Sequence, residues 1–74
     1  MDPNACFMRF LNAVSHDDDI VEAFHAMDDL SDWYLNDNFA AKFPGSETKV
    51  PANFVHNMVV NLKLACDKLG LSVD

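Results

Sequence analysis

The chain reads as an all-α protein, a small three-helix bundle in a single domain spanning residues 1–74. Three observations predict it. Half of the residues are apolar and only two are glycine, a composition that favours a packed helical core over disorder or an all-β fold. Apolar residues recur at three- and four-residue spacing through three separate stretches. The stretches are punctuated by helix starts and stops: Asp2-Pro3, Asn36-Asp37-Asn38, Pro51 and Gly70.

The first helix is expected over roughly residues 3–14. Asp2 can cap the free amides and Pro3 suits the first helical position. Cys6, Phe7, Phe10, Leu11 and Val14 share one side, while Asn4, Arg9 and Asn12 face away. Ser15-His16-Asp17 then makes a tight link of the kind that joins antiparallel neighbours.

The second helix, beginning at Asp17 or Asp18 and ending near Asn36, is sharply two-faced. At 100° per residue, Ile20, Ala23, Phe24, Met27, Leu30 and Tyr34 gather on one side. Asp18, Glu22, His25, Asp29, Asp32 and Asn36 form a stripe on the other. Acids in the first turn suit the positive end of the helix dipole, and Asp19 with Glu22 has capping-box spacing. Asp28, Asp29 and Asp32 have no such explanation, because they lie mid-helix and toward its negative end.

Residues 39–50 make a long connection for so small a domain. Phe39 and Phe43, at i and i+4, suggest a one-turn helix ended by Pro44-Gly45 and tucked against the core. The third helix starts at Pro51, with Phe54, Val55, Met58, Val59, Leu62, Ala65, Cys66 and Leu69 on its apolar face. Gly70-Leu71 fits a Schellman stop. Val60 and Leu64 point the other way as an i, i+4 pair, to be covered by the 39–50 segment or by a second copy of the chain. Phe10, Phe24, Met27, Leu62 and Leu69 are expected to be almost fully buried.

The formal charge of −7 is unevenly placed. Residues 1–37 carry nine acids against Arg9 alone, whereas residues 38–74 carry four lysines against three acids. An acidic half repels nucleic acid and anionic membrane and suits a basic protein surface; acidity also serves solubility. MDPNACFMRF has no basic segment followed by a long apolar run, so it does not read as a signal peptide, and no apolar run approaches the ~20 residues of a membrane span. A cytoplasmic setting is the expectation. Cys6 and Cys66 fall on apolar helix sides, where free thiols behave as small hydrophobes; a disulfide between first and last helices is not demanded.

Catalytic and metal chemistry find little footing. His25 is flanked by Glu22 and Asp29, and His16 adjoins Asp17, Asp18 and Asp19. Neither group matches an H-E-x-x-H helix or an EF-hand loop, and a solvated helix face is the commoner reading. A Cys–His pair would need His56, which sits on the polar side of the third helix, beside a thiol buried in apolar surroundings. The expectation is therefore no enzyme, no metal and no cofactor.

Asp2-Pro3-Asn4, the acidic turn before the second helix, and Asp32-Trp33-Tyr34-Leu35 followed by Phe39 resemble a pattern in small uncharacterised helical proteins of phages and diverse bacteria. Those carry a D/N-P-N start and an E/D-W-L segment leading to a Gly-Gly-Phe turn; here Asn36-Asp37-Asn38-Phe39 replaces the glycines. The resemblance covers about residues 2–44, implies a phage or mobile-element setting, and brings no known activity.

The functional expectation is an acidic protein-interaction module, an inhibitor of phage type, whose second helix meets the basic, nucleic-acid-binding surface of a partner protein. Asp18, Glu22, His25, Asp29, Asp32 and Trp33 are the candidate contacts; for Trp33, at the border of the two faces, packing at the core edge against the 39–43 segment is the commoner reading and a binding anchor the alternative. The alternative is a homo-oligomeric structural or regulatory protein, with Val60 and Leu64 at a dimer interface.

Overall fold

The computed structural model describes residues 2–37 and 41–74. Its elements are α1 (Pro3–Asn12), continued by a π-turn over Ala13–Asp17, then α2 (Ile20–Asp37) and α3 (Ala52–Lys68). α2 is the shared partner of the other two helices. The fold is a three-helix bundle, with no β-strand among the described residues.

α1 starts as the sequence dictates. The Asp2 carboxylate accepts the Ala5 N–H at 2.7 Å with Pro3 in the first turn. Its end differs from expectation. The helix widens into a π-turn after Asn12, which brings Ala13 into the core and leaves Val14 exposed. Asp18 then takes the left-handed conformation (φ 50°), and the N–H groups of Asp18 and Asp19 both reach the Ala13 carbonyl. The chain reverses at this corner, so α1 and α2 run antiparallel.

α2 begins two residues later than the acidic run suggested. Asp19 accepts the Glu22 N–H at 3.0 Å, the first half of a capping box. The second half is missing for a physical reason: the Asp19 N–H is already taken by Ala13, and the Glu22 carboxylate turns to Arg9 instead.

The core of α2 is also rotated from the predicted face. Ala23, Ala26, Met27 and Leu30 are fully buried, whereas Phe24 is only half-buried and lies outside both the core and the ring of side chains packed on it. Relative to the predicted face, the core has turned by about 50°, half a residue step, from Phe24 toward Ala26. Small residues permit close helix approach: Ala26 and Ala23 lie in the same core cluster as Ala13 of the π-turn and Phe10 of α1. Phe10 and Met27 are buried as expected. Leu62 is half-buried, and Leu69 is 60% exposed because it sits on the turn that ends α3, where the chain leaves the bundle.

The connection does not form the expected one-turn helix over its described part; Phe39 lies outside the described residues. Residues 41–50 fold back as a narrow hairpin-like loop, with Lys42 and Lys49 bridged antiparallel and Val50 N–H donating to the Ala41 carbonyl at 2.7 Å. Pro44-Gly45 makes its tip, with Gly45 at φ 75° and Ser46 N–H donating to the Phe43 carbonyl, the pattern of a type II turn. The Tyr34 hydroxyl fastens the base, donating to the Val50 carbonyl at 2.6 Å and accepting the Ala41 N–H at 3.1 Å. Asn4 accepts the Lys42 N–H, and Phe43 meets Phe7 and Phe54 edge-on. The loop thus wedges between the first turns of α1 and α3.

α3 ends in a Schellman motif: Leu71 N–H donates to the Cys66 carbonyl, Gly70 N–H to Asp67, and Gly70 has φ 69°. Cys6 and Cys66 are both buried and free. They sit at opposite ends of the bundle, since Cys6 is near the start of α1 and Cys66 near the end of α3. Burial, reinforced by the Asp29 charge, pushes the Cys6 thiol above its ordinary range.

Candidate acidic face of the second helix

Position along α2 gathers Glu22, His25, Asp29, Asp32 and Trp33 of the predicted contacts on one helix, but the environments of its acids divide them into two groups. The division is made by Arg9, which faces α2 rather than solvent. Its guanidinium pairs with Glu22 at 3.1 Å and with Asp29 at 2.9 Å. Glu22 and Asp29 are seven residues apart, two turns of one helix, so a single forked cation on α1 can bridge them. Burial alone would lower the Arg9 pKa; the hydrogen bond to Asp29 and the charge of Glu22 reverse this and raise it. These two acids are therefore part of the α1–α2 junction.

Asp28 and Asp32 make no ion pair among the described residues. Asp28 is half-buried and Asp32 exposed. Burial raises the Asp28 pKa first, and the neighbouring Asp32 and Asp29 charges raise it further, with His25 opposing. The cluster is thus one of mutual repulsion at mid-helix, away from the N-terminal turn where the dipole would favour negative charge.

The remaining predicted contacts have separate surroundings. His25 is half-buried, with its ring 5.5 Å from Phe24 in a tilted, edge-on arrangement. Trp33 is half-buried and packs against the core. Asp18 is exposed but belongs to the left-handed corner, outside α2. No group of three or more His, Cys, Asp or Glu side chains converges as a metal site among the described residues. No helix there is long and apolar enough to cross a membrane.

Two features escaped the sequence pattern. Phe24 stands at the edge of the outward face, and Leu35, at 81% the most exposed large apolar side chain among the described residues, shares that face with Asp28 and Asp32. On α3, Val60 and Leu64 are exposed as read from the sequence, at 44% and 52%, and the 41–50 loop does not cover them. Comparisons with family models, curated proteins and solved structures return no match for this chain.

Proposed function

We propose that the protein is a small acidic interaction module whose second helix docks on a basic surface of a partner protein. The observation that carries the reading is the Asp28–Asp32 pair. These carboxylates stand together without an ion pair among the described residues and repel one another, with only His25 opposing. A basic partner would relieve that repulsion on binding. Inhibition of a nucleic-acid-binding protein, in a phage or mobile-element setting, is one use such a surface serves, since carboxylates along a helix can stand in for phosphates.

The test is Asp28→Lys with Asp32→Lys, assayed by affinity capture from the cells that produce the protein. The circular dichroism spectrum should be unchanged, because neither residue supports the fold through an ion pair. A basic protein should be captured by wild type, released by raised salt, and missed by the double variant. Capture unaffected by the reversal would overturn the proposal. Asp29 is unsuited to this test, since a lysine there would face Arg9.

A second reading is homo-oligomerisation through α3, favoured by the outward Val60 and Leu64 pair. Two side chains are little beside the ~800 Å² per partner of a standard interface. Light scattering decides it: a dimer that becomes monomeric in Val60→Glu with Leu64→Glu supports this reading, and a wild-type monomer at high concentration ends it.

A further inference from the structure

The acidic module proposed above leaves open what kind of basic surface it takes, and the outward face of α2 is specific on that point. Val21, Phe24, His25, Asp28, Asp32 and Leu35 fall within about 100° of arc at 3.6 residues per turn. That arc lies roughly opposite the buried Ala23–Ala26–Leu30 face. The arc is not uniformly acidic. Val21 and Phe24 are half-buried at its start, outside the core cluster and the ring of side chains packed on it, and Leu35 stands almost fully in solvent at its end. The two carboxylates lie between these apolar ends. At 1.5 Å rise per residue, Val21 and Leu35 are about 21 Å apart along the axis.

We infer that this face is the docking surface for a basic amphipathic helix of a partner protein, apolar at both ends and cationic between them. The inference rests on the acidic-module reading and narrows it. Charge complementarity chooses the middle of the occupant, because two carboxylates lacking ion pairs call for lysine or arginine. The exposed Leu35 at one end and the open part of the half-buried Phe24 at the other choose its terminal turns, where aliphatic side chains would remove that remaining apolar surface from water. Glu22 and Asp29 take no part, being held by Arg9 on the α1 side. Nucleic acid is excluded by charge. A free polycation would satisfy the aspartates but leave the apolar ends uncovered.

Two synthetic 18-residue peptides test this by titration into the ¹⁵N-labelled full chain. Both are lysine-rich and helical; one carries leucines in its first and last turns, and the other has those leucines replaced by serine. The leucine-bearing peptide should bind at least tenfold more tightly, with amide shifts centred on residues 21–35 along the outward face. Leu35→Ser, a change at a side chain that is 81% exposed, should erase most of that difference. Equal binding of the two peptides, or shifts centred on Asp17–Asp19 or on Glu22 and Asp29, would overturn this surface while leaving the acidic module standing. Failure of both peptides to bind at millimolar concentration would overturn both proposals.

Discussion

Tyr34→Phe removes one oxygen atom and tests how the long connection is held. The ring stays, so core volume is nearly unchanged, and the loss is confined to the hydroxyl that donates to Val50 and accepts from Ala41. Both residues are buried, Ala41 at 0% and Val50 at 1% exposure. Two hydrogen bonds are worth about 0.5–1.5 kcal/mol each, and a buried N–H left without a partner adds about 1–3 kcal/mol. The mutual Ala41–Val50 bond persists and limits the opening, so a total near ~2–4 kcal/mol is expected. At roughly 4–8 °C per kcal/mol for a domain this size, Tm should fall by roughly 8–32 °C. Thermal melting by circular dichroism measures the total, and amide hydrogen exchange locates it. The Ala41 amide should lose protection beyond the global loss, whereas Ala26 and Met27 should lose only the global amount. A Tm within about 2 °C of wild type, or an Ala41 amide as protected as before, would refute the hydroxyl's role as the loop's fastening.

Three further perturbations follow from the geometry. Arg9→Met should cost about 1–2 kcal/mol, because two half-exposed ion pairs are worth at most about 1 kcal/mol each and the aliphatic stem's packing is retained; added salt should narrow the gap in a denaturant titration. Asp18→Gly should raise stability by about 0.5–1 kcal/mol, since glycine adopts φ 50° without the Cβ penalty, and a lowered Tm would show that the Asp18 side chain supports the corner. Asp28→Asn should raise Tm at pH 7 and lose that advantage in acid. A carboxyl whose pKa is raised on folding binds its proton more readily when folded, so its ionisation costs stability. That cost is full at neutral pH and disappears as pH falls through the raised value to the ordinary ~3.9. A Tm difference independent of pH would contradict the charge origin.

Helix ends were legible because they depend on short-range chemistry. Asp2-Pro3 caps α1 and Gly70-Leu71 closes α3 through bonds within a few residues. The rotation of α2 was not legible, because hydropathy weights Phe24 over Ala26 while close helix approach rewards the smaller residue. Arg9 read as solvent-facing on its own helix; its partners are 13 and 20 residues away on another helix, beyond the reach of a periodicity argument. The hairpin-like loop is likewise a set of non-local bonds to Tyr34 and Asn4. For the candidate face, the sequence pattern picked out the acids but grouped Asp29 and Glu22 with Asp32, and only their different distances from Arg9 separate them.

That separation is tested most directly by measuring, in parallel, Tm and affinity for the leucine-bearing lysine peptide in two double variants. Asp28→Asn with Asp32→Asn should raise Tm, by relieving repulsion, and weaken binding at least tenfold. Glu22→Gln with Asp29→Asn should lower Tm, by stripping Arg9 of its partners, and leave the affinity within about threefold of wild type, the loss expected of nearby charge alone. A crossed outcome, in which removing Glu22 and Asp29 charges abolishes binding while removing Asp28 and Asp32 charges does not, would contradict the account.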